Sequence, residues 1–463
     1  MNIKKIAQFA IGPLGAAALG FITLPITVWY FTPEDIGRIS MLQVMISFCV
    51  LLFSLGLDQA YVREFHEVDD TPALFKFALL PGLSLLFLIS IVFLIFPTLI
   101  SSLLFEVKSA VLSWLVLVCI ISSFVSRFLS LILRMQEKGL AYSMSQVLPK
   151  LLFLVIIGFY ILFYPRFNLM ELVLANTLSI VLVLIILTIN TYKEWLMAFT
   201  CQINFNKVRE MLIFGMPLIL GSVAFWGLTA MDKIFLKKYS TYTELGIYSV
   251  AVSFASAATI LQSIFSTVWA PIVYKWVRDN ENIEKVNKVT EYILLAVIFM
   301  FSAAGMLSWI LDYILPKQYS AVKYIVVSCL GAPLLYTLSE TTVIGISVMR
   351  KTGYAMLAAL VALGVNLFCN YQFIPHYGAI GAAISTSIAF FVFFILRTEF
   401  SIRVWKPLPR LKLYVWTTLV VSLAVFTSLS QGKFSFYLNG IWILIFTFVV
   451  RAILKARKAY SVH

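Results

Sequence analysis

The chain has 463 residues, of which 61% are hydrophobic and only 12% charged, with a mean hydropathy of +0.97. Its length alone would suit two or three soluble domains, but a soluble fold needs more polar exterior than this composition supplies. The net charge of +14 does not require nucleic acid, because basic loops beside anionic headgroups account for it.

Apolar runs of about 20 residues recur from end to end, each long enough to cross a hydrocarbon core ~30 Å thick. Lipid offers no partner to free backbone N–H and C=O groups, so continuously apolar spans must be helices. Barrel strands would alternate in polarity, and these runs do not. The runs predict membrane helices over 6–31, 38–57, 74–97, 110–133, 140–163, 169–190 and 210–232 in the first part of the chain. They continue over 244–273, 290–314, 321–349, 354–374, 379–396, 411–429 and 436–454. The expected class is therefore an all-α integral membrane protein of about 14 transmembrane helices, without a soluble domain. The start, Lys4-Lys5 followed by an apolar run and Ala16-Ala17-Ala18, imitates a signal peptide. That run continues through Leu24-Pro25 to Phe31, too long for a cleaved segment, and reads as a retained first helix.

Fourteen spans put both termini on one side, and the distribution of Lys and Arg makes that side cytoplasmic. Of the 35 basic residues, nine fall on the outer side (Arg38, Lys108, Arg166, Lys233, Lys237, Lys238, Lys317, Lys323 and Lys433), two within spans (Arg127 and Lys150), and the other 24 inside. The loop around Asn280 is expected inside.

The sequence also repeats. A first loop, Glu34-Asp35-Ile36-Gly37-Arg38-Ile39-Ser40, matches Thr243-Glu244-Leu245-Gly246-Ile247-Tyr248-Ser249 about 209 residues on, and Lys138-Gly139-Leu140-Ala141 echoes Lys351-Thr352-Gly353-Tyr354-Ala355. Spans one to six thus correspond to spans seven to twelve, as parallel repeats about an axis along the membrane normal. The expected organisation is two pseudo-symmetric six-helix lobes, 1–205 and 206–405, followed by two further helices and a tail over 406–463. Two facing halves suit an alternating-access transporter.

Cys49, Cys119, Cys201, Cys329 and Cys369 have no metal-like spacing, and His66, His376 and His463 are isolated. No P-loop or GxSxG fingerprint occurs, so no catalytic residue, metal site or cofactor is expected. Ionisable groups inside spans are costly, by about 2.5–3.5 kcal/mol on insertion scales, and are therefore the candidates for function. Arg127 and Lys150 lie deepest among the bases, with Arg63 and Lys233 nearer an interface, where they could instead snorkel. As a set, these four would make a cationic cavity for a phosphorylated substrate. Glu340, Asp232, Asp58 and Glu64 are candidates for charge pairing or for coupling to H+ or Na+.

At this point a resemblance enters. Phe9-Ala10-Ile11-Gly12-Pro13, Pro33-Glu34-Asp35-Ile36-Gly37 and the stretch Leu55-Gly56-Leu57-Asp58-Gln59-Ala60-Tyr61-Val62-Arg63-Glu64 resemble the Wzx-type O-antigen repeat-unit flippases. So does Met231-Asp232-Lys233-Ile234-Phe235-Leu236 leading into Glu244–Ser249. These flippases belong to the multidrug/oligosaccharidyl-lipid/polysaccharide exporter superfamily. The resemblance implies two six-helix lobes around a central cationic cavity. It also implies that an undecaprenyl-diphosphate-linked oligosaccharide is moved from the cytoplasmic to the periplasmic leaflet of a bacterial inner membrane, driven by an ion gradient. The polyprenyl tail would stay in lipid, and the resemblance implies a polysaccharide polymerase as partner. Two other classes compete. A polyprenyl-dependent glycosyltransferase or ligase would need a larger outer loop and acidic motifs, and Glu34-Asp35 is the sole adjacent acidic pair on that side. A multidrug antiporter of the same fold would favour an acidic cavity.

Overall fold

The computed structural model describes residues 3–163, 168–279 and 284–460. Arg166, the loop around Asn280 and His463 lie outside them. Every regular element among the described residues is a helix, and 14 of these helical stretches are long and apolar enough to cross a membrane. The protein is a multi-pass integral membrane protein. Large apolar side chains such as Phe87, Leu88, Ile95, Leu162, Leu220 and Phe436 are more than half exposed. In water such a surface would drive aggregation, whereas in a bilayer it is the lipid-facing side of each span.

By density of internal contacts the chain forms two compact units, Met1–Phe31 with Asp35–Trp226, and Thr32–Glu34 with Gly227–His463. The first holds α1 (Ile3–Tyr30), α2 (Pro33–Phe53), α3 (Leu57–Glu64), α4 (Thr71–Ile95), α5 (Leu99–Phe105), α6 (Ala110–Met135), α7 (Gly139–Phe163), α8 (Leu169–Asn190) and α9 (Tyr192–Thr200). α10 (Phe205–Tyr239) runs through the division between Trp226 and Gly227. At 35 residues it is ~52 Å long and outreaches the hydrocarbon core.

The second unit holds α11 (Tyr242–Ala255), α12 (Thr259–Arg278), α13 (Glu284–Leu307), α14 (Leu311–Ile314), α15 (Val322–Cys329), α16 (Gly331–Thr342) and α17 (Ile344–Val348). It closes with α18 (Thr352–Tyr377), α19 (Ala379–Val404), α20 (Leu411–Ser430) and α21 (Ser435–Tyr460).

Three local readings gain detail, and the expected spans 244–273 and 321–349 each overlap one membrane-spanning stretch, Tyr242–Arg278 and Val322–Thr342. The repeated Glu/Asp-aliphatic-Gly motif, whose first copy was expected as a loop and whose second opens the expected span at 244, begins helices in both places. Pro33 at the first helical position, with Glu34 and Asp35 in the first turn, starts α2. Thr241 caps α11 by accepting from the Glu244 backbone N–H at 3.2 Å. The expected single span 244–273 is interrupted by a 3₁₀ turn at Ser256–Ala258. The expected span 321–349 breaks into α15, α16 and α17.

Hydroxyl side chains within the spans donate back to carbonyls of the preceding turn. In α1, which contains Pro13 and Pro25, the Thr23 hydroxyl donates to the Leu19 carbonyl at 2.7 Å and that of Thr27 to the Leu24 carbonyl at 2.9 Å.

Candidate functional site

The first unit encloses a polar cavity of about 590 Å³, lined from α2, α3, α6, α7 and α8. Hydroxyls dominate it: Ser47, Ser54, Ser123, Ser126, Ser130, Ser145 and Tyr142, with Gln146 beside them. Helical periodicity explains the grouping. Ser123, Ser126, Arg127 and Ser130 recur at three- and four-residue spacing on one face of α6, and Tyr142, Ser145 and Gln146 do so on α7. Four of the hydroxyls spend their proton on the preceding turn. Ser47 donates to the Val44 carbonyl at 2.9 Å, Ser54 to Leu51 at 2.8 Å, Ser130 to Arg127 at 2.7 Å and Ser145 to Tyr142 at 2.6 Å. Ser47 Oγ also accepts the Trp226 indole N–H at 3.0 Å, while the oxygens of the other three keep their lone pairs for a guest, so much of the wall is an array of acceptors.

Arg127 supplies the cavity's charged donor. One nitrogen donates to Asp58 Oδ2 at 3.0 Å, while the arginine side chain is 43% exposed and the aspartate's 11%. The remaining N–H groups are available to the cavity. The pair is neutral overall, so this cavity is a polar chamber with one positioned guanidinium and not a basin of uncompensated positive charge.

Asp58 is held by a local device. Leu55 and Gly56 both adopt positive φ, 51° and 69°, turning the chain out of α2 and into α3. A Cβ on Gly56 would also collide with the Gly215 backbone, so glycine is required twice over. The rest of α3 fastens to the first turns of α10. The Arg63 guanidinium lies over the Phe214 ring at 4.3 Å, and Lys207 Nζ sits 2.9 Å from Glu64 Oε2. Arg63 and Glu64 thus join α3 to α10 and do not line the cavity. On the same short helix the Tyr61 phenol is pushed well above its ordinary value, first by burial and then by the Glu194 carboxylate.

Lys150 is not among the lining residues. It stands one helical turn beyond Gln146 on α7, its Nζ lying over Gly20 of α1. Among the described residues no carboxylate pairs with it.

In the second unit two carboxylates, Asp232 buried and Glu340 half-buried, sit in distinct networks. Asp232, 1% exposed, accepts four hydrogen bonds. Oδ1 receives Nδ2 of Asn366 at 2.9 Å and of Asn370 at 2.8 Å, while Oδ2 receives the Tyr248 hydroxyl at 2.8 Å and the Thr386 hydroxyl at 2.5 Å. Four acceptor sites meet four neutral donors from α11, α18 and α19, so the hydrogen-bonding capacity of the buried carboxyl group is filled. Asn370 Oδ1 is buried without a partner, and so are the Ser385 and Ser387 hydroxyl oxygens on the next helix. Lys233 follows Asp232 in α10 and is partly buried, outside this ring of donors.

Glu340 meets Arg397, with Oε1 to Nη2 at 2.8 Å. Arg397 also donates to Ser339 Oγ at 2.6 Å and spreads over the rings of Tyr336 at 5.3 Å and Phe393 at 5.0 Å. Sequence reading had stopped the twelfth span at 396 and so missed Arg397, because α19 in fact continues to Val404. The Asn366/Asn370 pair was missed as well. Two amides four residues apart in an otherwise apolar helix are a readable signal, since each must find a polar partner on one face. By contrast, the acid of the repeated motif is structural in the second unit, where Glu244 accepts the Ala379 backbone N–H at 2.8 Å and caps α19.

The sequence matches the family described as "Polysaccharide biosynthesis protein" over residues 3–277. It is 22% identical to Lsg locus putative protein 1 of Haemophilus influenzae, over 84% of this chain and 97% of that protein. It is 23% identical to the capsular polysaccharide biosynthesis protein CapF of Staphylococcus aureus, over 84% of this chain and 96% of that one. A shorter match at 23% identity, to a probable low-salt glycan biosynthesis flippase, Agl15, of Haloferax volcanii, spans 42% of this chain and 43% of that relative. Among solved structures, the lipid II flippase MurJ in an inward closed conformation aligns with a TM-score of 0.74 at 16% identity, covering 97% of this chain and 99% of that one. An inward-facing multidrug resistance transporter of the MATE family aligns at 0.60 with 14% identity, covering 88% and 99%. These two likenesses establish the fold.

Proposed function

Because the chain belongs to the family of polysaccharide biosynthesis proteins, we propose that it is a flippase for a lipid-linked oligosaccharide. The cargo in this reading is an oligosaccharide on undecaprenyl diphosphate, carried from the cytoplasmic to the periplasmic leaflet of a bacterial inner membrane. The observation that carries the reading is the hydroxyl-lined cavity with its Arg127–Asp58 pair inside a unit of membrane helices. A glycan cannot cross hydrocarbon unaided, and sugar hydroxyls need many acceptors and a few donors, which is what the wall offers. Lys150, without a carboxylate partner among the described residues and one turn further along α7, supplies a counter-charge for a diphosphate. A drug antiporter on the same fold would want an open carboxylate for a cationic cargo, and Asp58 is already paired.

Transport proceeds by alternating access between two six-helix lobes, 1–205 and 206–405, with 406–463 as an appended pair of helices and both termini cytoplasmic. A polymerase acting on the outer leaflet would take the product. Coupling falls to Asp232. Its carboxylate, the Tyr248 and Thr386 hydroxyls and the unpartnered Asn370 Oδ1 are hard oxygen ligands, suited to Na+ or to a proton. Glu340, bound to Arg397, serves to pair charge within the bundle.

Deletion of the gene followed by lipid extraction tests the reading. Accumulation of a polyprenyl-diphosphate glycan, with loss of the matching surface polysaccharide, is the expected result. Unchanged pools of both would overturn it.

A further inference from the structure

A second cavity, a groove of about 800 Å³, opens between α13, α20 and α21 of the second unit. Three lysines on three helices converge on it, Lys288, Lys412 and Lys455, and all are exposed. Lys288 and Lys412 stand near the N-termini of α13 and α20, and Lys455 near the C-terminus of α21, so all three lie toward one membrane face. Glu291 neutralises Lys412 at 3.0 Å. Lys288 and Lys455 have no ionic or hydrogen-bonding partner among the described residues. Away from the lysines the lining turns apolar. Trp416 and Phe448 stack with ring centroids 5.1 Å apart, and Ile298 closes the inner end.

From Lys288 to Ile298 is ten residues of helix, ~15 Å of descent. That is about half of a ~30 Å hydrocarbon core. A groove of this kind cannot stand empty in a bilayer, and a hydrocarbon chain of the same leaflet fills it. The lysines then select the headgroup, since two like charges converging at one mouth call for an anion between them.

We propose that this groove is a binding site for an anionic phospholipid of the surrounding leaflet. Its phosphate sits between Lys288 and Lys455 and an acyl chain lies against Trp416 and Phe448. The site is separate from the serine-lined cavity and does not depend on what that cavity carries.

The test uses the full-length protein in phosphatidylcholine vesicles carrying either a photoactivatable phosphatidylglycerol or its phosphatidylcholine counterpart. Cross-linked peptides are then mapped by mass spectrometry. Phosphatidylglycerol is expected to label peptides from Glu284–Leu307 and Leu411–Ser430 in preference to phosphatidylcholine. With about fivefold per lysine at an anionic lipid surface, the Lys288→Gln/Lys455→Gln variant should lose about 25-fold of that labelling. Its phosphatidylcholine labelling should not change. Equal labelling by the two probes, or phosphatidylglycerol labelling that survives both substitutions, overturns the proposal. Added undecaprenyl diphosphate separates the two sources of a phosphate headgroup. Persistence of the phosphatidylglycerol label supports the proposal, and displacement assigns the groove to a polyprenyl lipid and overturns it. Should the variant fail to purify as a single species, a salt titration of the wild type decides. Labelling by the anionic probe must fall as salt screens the lysines, and labelling that ignores salt refutes the assignment.

Discussion

Arg127 and Asp58 illustrate how one residue pair serves both stability and cargo. Removing the arginine strands a mostly buried carboxylate, yet the exposure of its guanidinium limits the loss. Arg127→Ala should therefore cost about 1–2 kcal/mol of stability. Thermal unfolding in detergent measures this, and Asp58→Asn/Arg127→Ala should recover much of the loss. Surface glycan should stay low in both variants if the guanidinium touches cargo; full export in the double variant would remove Arg127 from the site. Asp232 makes a sharper case. In Asp232→Asn an amide nitrogen must face donors that now bond a carboxylate, and charge-assisted bonds are worth about 1.5–3 kcal/mol each. The variant is expected to lose stability and, in proteoliposomes, any response of transport to an imposed Na+ or proton gradient. A response equal to that of the wild type would exclude Asp232 from coupling. Cys201 carries a pH prediction. Burial, then the Asp70 carboxylate 3.9 Å away, pushes its thiol up. The reactive thiolate therefore appears only at higher pH, and alkylation should follow a titration displaced upward from that of a free thiol. Asp70→Asn should move it back down, as read by the rate of iodoacetamide labelling against pH.

At the scale of elements, α3 is the junction to perturb. It is eight residues long, too short to be stable alone, and it is held by two contacts to α10 and by the positive-φ turn at Leu55-Gly56. Gly56→Ala adds left-handed strain of about 1–2 kcal/mol and a clash with the Gly215 backbone. It should lower the unfolding temperature more than Glu64→Gln, which removes one partly exposed ion pair. If the two variants unfold alike, the turn is not what positions Asp58. The same reasoning explains why the motif running from Leu55 to Glu64 contains residue types that a plain membrane span would avoid. Its glycine makes a turn, its aspartate holds an arginine, and its last two residues grip another helix.

At the scale of the molecule, topology is open to a direct measurement. Cys201 is partly exposed while Cys49, Cys119, Cys329 and Cys369 are buried. A membrane-impermeant maleimide should thus label at Cys201 and, with both termini cytoplasmic, only in inverted vesicles or permeabilised cells. Labelling in intact cells would reverse the orientation drawn from the lysines and arginines.

Class, span number and family were written in the sequence, because lipid imposes a single demand on every span, continuous apolarity over a fixed length, and that demand is local in the chain. The residues isolated within apolar runs, Arg127, Glu340 and Asp232, were visible for the same reason. Their partners were not. Asp58 lies 69 residues from Arg127, Arg397 lies 57 from Glu340, and Asn366, Asn370 and Thr386 lie 134 to 154 from Asp232. No periodicity reaches across such separations. Nor could composition reveal that Arg63 and Glu64 face α10 while Arg127 faces a cavity, since depth in a span says nothing of which neighbour a side chain meets. Which helix face meets which neighbour is decided by packing, and packing alone turned a set of candidate charges into one neutral pair, one caged carboxylate and one stacked arginine.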